Sequence, residues 1–140
     1  MKEKNRMSNT IKKSSLFMIF TLAFTAALLS ACSSSQVSPE SVVAEYLSAM
    51  AVQDSDAMVA LSTANWETSA LIDADSLTNV SSTIKDLDCT TIQSDAETAD
   101  VVCNGELVLT YNDEDRSIDL SAFTYHLLKV NNAWLIDARS

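Results

Sequence analysis

The spacing of apolar residues along this chain changes twice and divides it into three regions. Residues 16–29 form a run of 14 uncharged residues, most of them apolar. From Pro39 onward, apolar side chains recur three and four positions apart, as on one face of an α-helix. From Asp88 onward they alternate with polar side chains, which is typical of a half-buried β-strand. The pattern predicts a short apolar segment, then helices, then a sheet.

The helical region predicts three helices. The first is expected over residues 39–52, with Pro39 at the first helical position, where its missing N–H needs no partner. An acidic cluster at 54–56 is expected to cap a second helix that ends near Thr63 or Ala64. A third helix is predicted over residues 75–83, where Asp and Ser interrupt the apolar spacing.

The alternating region predicts four strands joined by hairpin turns, at residues 89–93, 99–111, 117–130 and 133–138. The pair Asn131-Asn132 suits a two-residue turn, because Asn tolerates the left-handed conformation in a chain with one Gly. That Gly105 lies inside a strand and indicates a bulge or a close backbone approach. The predicted fold class is α+β, with N-terminal helices packed on a curved four-stranded antiparallel sheet.

Two of the three cysteines lie on the first predicted hairpin. If the hairpin is centred on Ala96, Cys89 and Cys103 lie directly opposite each other. In an oxidising compartment they can form a disulfide, worth about 3 kcal/mol for a loop of this length. The alternative is a pair of buried free thiols. A metal site is not expected, because further ligands are lacking nearby.

The first 31 residues have the layout of a bacterial signal peptide, with five bases and one acid before the apolar run. As a helix this run would span about 21 Å at 1.5 Å per residue, whereas a bilayer needs about 20 residues. It leads into Leu29-Ser30-Ala31-Cys32, which resembles the lipobox of bacterial lipoproteins. An ordinary signal peptide with an incidental cysteine is the alternative.

The lipobox resemblance implies a thioether-linked diacylglycerol on Cys32 and cleavage before it. The expected organisation is a signal peptide at 1–31, a lipidated cysteine and tether at 32–38, and one domain at 39–140. Two acyl chains suffice for stable anchoring. The domain is therefore expected to be exported and held at the cell membrane or the outer membrane, facing the periplasm or the exterior.

The charge of the exported part limits its partners. From Cys32 onward the chain has 18 acids and four bases, a net charge of −14. Nucleic acid is not expected as a partner, since phosphate binding needs clustered bases. Attachment to an anionic bilayer would have to come from Cys32 and not from a basic patch. The acidic turn at 112–115 lacks the ligand alternation of a calcium loop and is interpreted as solvated surface.

The order of elements and several loose motifs resemble the NTF2-like, or cystatin-like, lipoproteins. The motifs are Val42-Val43, Tyr46-Leu47 and Ala49-Met50 in the first helix, the Gln53-Asp54-Ser55-Asp56 turn, and the closing hairpin from Lys129 to Asp137. Asn132 replaces the Gly that is usual in the last turn. The resemblance implies a cone-shaped sheet around a helix, with a cavity that in some relatives binds a small molecule or catalyses isomerisation or dehydration.

Few residues suggest chemistry. If the last hairpin turns at Asn131-Asn132, the single histidine, His126, lies opposite Asp137. Such a pair could act as a general base or could be a polar cross-strand contact. The candidate pocket residues are Tyr46, Trp66, Tyr125, His126 and Asp137. No catalytic residue, metal or cofactor is predicted.

The final hairpin is apolar on both faces. One face carries Leu128, Val130 and Leu135, and the other carries Tyr125, Leu127, Trp134 and Ile136. Because the helices cover one face, the second is expected to contact another copy of the chain or an envelope protein.

The leading hypothesis is a membrane-anchored, non-catalytic binding or interaction module of the cell envelope, with a small hydrophobic molecule as a further candidate ligand. The alternatives are a cavity enzyme similar to NTF2-like isomerases and dehydratases, and a structural envelope component.

Overall fold

The computed structural model describes residues 37–140. The predicted signal peptide, Cys32 and most of the tether lie outside the described residues. The helices are α1 (Pro39–Ala51), α2 (Ser55–Ala60) and α3 (Glu67–Ser76), and the strands are β1 (Ser81–Ser94), β2 (Thr98–Tyr111), β3 (Glu114–Asp119), β4 (Thr124–Val130) and β5 (Ala133–Arg139). The predicted α+β class is confirmed. Within residues 37–140, no helix is long and apolar enough to cross a membrane.

The sheet has five antiparallel strands instead of the predicted four. Its order is β1-β2-β4-β5, and β3 also pairs with β2. Strands β3 and β4 both pair with one edge of β2. Strand β3 pairs with residues 106–111 and β4 with residues 98–102. The predicted single strand over residues 117–130 is wrong because the pairing with β2 is interrupted between Asp119 and Thr124. The Asp119 side chain accepts the Ser121 N–H and starts a 3-10 turn at Leu120–Ala122.

The first hairpin contains a bulge where β1 meets Gly105. Strand β1 runs for 14 residues, well beyond the predicted 89–93. The register shifts between Lys85 and Asp88, and Gly105 has a φ of +118°. A Cβ at Gly105 would lie 2.6 Å from the Lys85 carbonyl oxygen, so a side chain cannot fit there. The predicted role of Gly105 as a bulge residue is confirmed.

From Asp88 to Thr91 the pairing agrees with the hairpin count, and a second register shift separates Thr91 from Gln93. Cys89 lies opposite Cys103, and the two are joined by a disulfide. Cys103 is fully buried. The bond therefore links the edge strand β1 to the core through β2, and closing a loop of this length stabilises the domain by about 3 kcal/mol.

The third helix differs most from its prediction. Helix α3 ends at Ser76, where the predicted helix at 75–83 had only begun. The reason is that Leu71 and Ile72 are exposed, while the small residues Ala70 and Ala74 contact the core. The spacing of the large apolar residues therefore indicated the wrong side of the helix. Residues 81–83 belong to β1.

The core lies between α1 and the inner face of the sheet. Helix α1 buries one side, and the strands contribute alternate residues. The buried residues include Val43, Tyr46, Leu47, Val101, Cys103, Tyr125, Leu127 and Ile136. The loop after α2 joins the edge of the sheet, because the Thr63 N–H donates to the Ile136 carbonyl and the Ile136 N–H donates to the Leu61 carbonyl.

Candidate functional site

A half-buried ion pair links α3 to the last strand. Arg139 Nη1 donates to Asp73 Oδ2 at 2.8 Å, and Nη2 donates to Oδ1 at 3.1 Å. The side chains are only 25% and 17% exposed, respectively. Two parallel N–H···O bonds are the strongest geometry that a guanidinium and a carboxylate adopt. The pair therefore acts as one fixed unit inside the domain.

Aromatic side chains surround this pair. The Tyr46 hydroxyl donates to Asp73 Oδ2 at 3.1 Å, and Trp66 Nε1 donates to the Tyr46 oxygen at 3.2 Å. The Arg139 guanidinium lies 5.4 Å from the centre of the Trp66 ring and 5.3 Å from that of Phe123, within cation–π range. The Tyr125 ring meets Tyr46 edge-on, with 6.2 Å between centres. We call these residues the inner cluster: Tyr46, Trp66, Asp73, Phe123, Tyr125 and Arg139.

The protonation states of the inner cluster are set by burial and by the ion pair. Burial raises the pKa of Tyr46, and the charge of Asp73 raises it further. Burial also raises the pKa of Tyr125, against the opposing charge of Arg139. Burial alone would lower the pKa of Arg139, but its hydrogen bonds to Asp73 outweigh this and raise it. Both phenols therefore stay protonated at neutral pH and Arg139 stays charged.

A small cleft adjoins the inner cluster. Its volume is about 150 Å³, and it is lined by Asp73, Tyr125 and Arg139 together with apolar side chains such as Met50 and Phe123. Pockets for drug-sized ligands are usually about 300–1,000 Å³. The cleft can therefore hold a molecule of a few heavy atoms, next to polar groups that already bind one another.

The predicted pairing of His126 with Asp137 is wrong. Register in the last hairpin shifts, so that His126 lies opposite Ala138 and Leu127 opposite Ile136. Asp137 is the extra residue of this bulge, and its Oδ1 accepts the Thr63 hydroxyl at 2.7 Å. The carboxylate beside His126 belongs to Asp100 on β2, with Nδ1 and Oδ1 2.7 Å apart.

Three of the five candidate pocket residues meet in the inner cluster: Tyr46, Trp66 and Tyr125. His126 is on the opposite face of the sheet, and Asp137 contacts the loop after α2. Sequence reasoning missed Asp73 and Arg139. The sequence carries no signal for Asp73, because the side of α3 that faces the core is marked only by the small residues Ala70 and Ala74. Across residues 37–140, no group of His, Cys, Asp and Glu is arranged to hold a metal ion.

Comparison with known proteins defines the class of fold. No protein-family model and no curated protein matches the sequence. Among solved structures, an NTF2-like protein with a cystatin-like fold from Novosphingobium aromaticivorans superposes with a TM-score of 0.51 and 13% identity, covering 96% of this chain and 89% of that one. A ketosteroid isomerase-like protein from Erwinia carotovora atroseptica gives 0.52 and 16%, covering 72% and 89%.

A third structure, a protein of unknown function from Mycobacterium tuberculosis, gives a TM-score of 0.53 and 15% identity, covering 94% of this chain and 75% of that one. At such low identity these likenesses establish the fold alone. The described domain is an α+β domain with the NTF2-like, cystatin-like fold.

Proposed function

We propose that this protein is a lipoprotein anchored through Cys32, and that its NTF2-like domain is a binding or interaction module without a catalytic site in its interior. One observation carries the second half of this proposal. The polar groups of the inner cluster satisfy one another, because both Asp73 oxygens accept from Arg139 and one also accepts from Tyr46.

An isomerase or dehydratase built in this interior would need a free carboxylate base and a hydroxyl that can donate to substrate. Here the interior carboxylate, Asp73, is held in two charge-assisted hydrogen bonds. The Tyr46 proton is donated to that same carboxylate. A cleft of about 150 Å³ also leaves little room for a substrate. The interior polar groups thus favour a structural role over a catalytic one.

The anchor is supported by the lipobox at residues 29–32 and by the disulfide, which is compatible with an oxidising compartment. Six residues separate Cys32 from Pro39, where α1 begins. Fully extended they reach roughly 20 Å, which would keep the domain close to the bilayer. Leu128 and Val130 on the outer sheet face are 37% and 39% exposed, and we propose this face for contact with a second copy or an envelope protein.

Metabolic labelling tests the anchor. Cells that produce the full chain are grown with an alkyne-tagged palmitate, and the label is read on the isolated protein. We expect label and membrane association in the wild type and in the control Ser33→Ala, and loss of both in Cys32→Ser. Label that persists in Cys32→Ser, or a wild type without label, would contradict the proposal.

Native mass spectrometry tests the interior. The purified protein is examined without denaturation for bound small molecules and for subunit number. We expect no co-purified molecule of drug size, because the cleft is too small for one. A tightly held ligand of that size would contradict this expectation and would favour a ligand-binding cavity.

A further inference from the structure

Three side chains on the outer face of the sheet form a chain of hydrogen bonds. His126 Nδ1 lies 2.7 Å from Asp100 Oδ1, and His126 Nε2 lies 2.9 Å from Ser140 Oγ. The three residues belong to β2, to β4 and to the position directly after β5. We call them the outer triad.

The backbone holds the outer triad in register. Asp100 and His126 are direct partners in the β2–β4 ladder. Ser140 pairs with Thr124, two residues before His126, through hydrogen bonds of 3.0 Å and 2.9 Å in the two directions. The ladder therefore sets the position of each side chain, and no mobile loop is needed to bring them together.

The direction of the hydrogen bonds follows from the chemistry of the groups. An ionised carboxylate only accepts, so His126 donates to Asp100 from Nδ1. In the neutral imidazole Nε2 then carries no hydrogen and accepts the Ser140 hydroxyl. A serine held by a histidine that a carboxylate orients is the arrangement that activates a hydroxyl as a nucleophile. In the single chain the side chains of His126 and Asp100 are 40% and 32% exposed, so an incoming molecule can reach them there.

We propose that Ser140 is a nucleophilic serine that takes up an acyl group from an activated carboxylic ester. Ser140 Oγ attacks the ester carbonyl while His126 Nε2 accepts the hydroxyl proton. The bond from the carbonyl carbon to the alcohol oxygen then breaks, and His126 returns the proton to the departing alcohol. The products are an acyl ester of Ser140 and a free alcohol, and Asp100 is the positioning residue for His126.

The groups around Ser140 favour a single acylation of each chain over repeated turnover. The Ser140 N–H donates to the Thr124 carbonyl, so it cannot serve as an oxyanion donor. Val102 lies opposite Thr124 on the neighbouring strand, and Leu128 lies two residues beyond His126. These apolar side chains flank the triad on the same face and can contact the acyl chain. The site is separate from the inner cluster and does not depend on lipidation of Cys32.

The experiment uses the full chain purified in detergent and p-nitrophenyl acetate as the probe. We expect release of about one equivalent of nitrophenolate per chain and one acetyl group, located by peptide mass spectrometry on Ser140. Ser117, an exposed serine of β3, provides an internal control within the same molecule. Equal labelling of Ser117 and Ser140 would overturn the proposal, since the triad would then give no activation.

Variants separate the roles of the three residues. Ser140→Ala is expected to abolish the stoichiometric release, and His126→Gln to slow labelling about 100-fold. Asp100→Asn should slow it as well, and Asp100→Glu should restore part of the loss. Release that persists in Ser140→Ala would show that another group is the nucleophile and would refute the proposal. Circular dichroism of each variant checks that the domain stays folded.

Discussion

The two faces of the sheet each receive one side chain from each of two pairs of neighbouring residues. These pairs are Tyr125-His126 and Arg139-Ser140. Inside, Tyr125 and Arg139 join the half-buried Asp73. Outside, His126 and Ser140 join Asp100, where the charged partners are 40% and 32% exposed. Each face thus carries one basic side chain held by one carboxylate.

The two sites differ in how well water can solvate one partner of the pair when the other is removed. Removing one partner of a buried ion pair leaves a charge with poor solvation, and this typically costs about 3–5 kcal/mol. An exposed pair is worth about 0–1 kcal/mol, because water solvates either partner alone. We therefore expect the inner cluster to determine stability and the outer triad to determine reactivity.

Asp73→Ala is the strongest test of this difference. We expect it to lower the free energy of unfolding by about 3 kcal/mol, because Arg139 and the Tyr46 hydroxyl lose their acceptor. Urea denaturation of the variant and of the wild type measures the change. Asp75→Ala, which removes an exposed carboxylate from the same helix, is the control and should cost less than about 0.5 kcal/mol. A loss below about 1 kcal/mol for Asp73→Ala would show that water reaches Arg139 and that the cluster is effectively exposed.

A smaller effect is expected from alkaline pH. Burial raises the pKa of Tyr46 above the ordinary tyrosine value of about 10, so above that pH the folded state binds more protons than the unfolded state. The stabilisation is fully present below about pH 10 and is lost as the pH rises through the folded pKa. Tyr46→Phe should cost about 1–2 kcal/mol at neutral pH, and its stability should fall less steeply above about pH 10.

Unfolding midpoints measured from neutral pH to above about pH 10 check both parts of this prediction. Tyr111→Phe removes a hydroxyl from an exposed ring and should change neutral-pH stability by less than about 0.5 kcal/mol. An unchanged slope in Tyr46→Phe would assign the alkaline sensitivity to another group, with Tyr125 as the next candidate because burial raises its pKa too.

The features that the sequence predicted correctly depend on neighbouring residues or on one hairpin. Pro39 begins α1, and Asn131 and Asn132 adopt φ values of 49° and 69° in the last turn. The pairing of Cys89 with Cys103 lies within one hairpin, although a register shift between Thr91 and Gln93 also contributes to it. In the first two cases a local rule was sufficient.

The features that were predicted wrongly, or missed, depend on contacts between distant segments. Helix α3 contacts the core through the small residues Ala70 and Ala74, and no pattern of large apolar residues within the helix shows this. The bulge at Asp137 shifts the alternation of β5, so Arg139 faces inward and His126 loses its predicted partner. One extra residue in a strand therefore determines which residues form the inner cluster and which form the outer triad.

The smallest effect on stability is expected on the outer face. Asp100→Asn should lower the free energy of unfolding by less than about 1 kcal/mol, and high salt should reduce even this loss, because the pair is screened by solvent. Asp88→Asn, an exposed carboxylate of β1 opposite Asn104, is the matched control in the same urea experiment. A loss of more than about 2 kcal/mol for Asp100→Asn would make the outer triad a stabilising element like the inner cluster. If stability is unchanged while acylation of Ser140 slows, the carboxylate serves to orient His126, and the two faces of the sheet have separate roles.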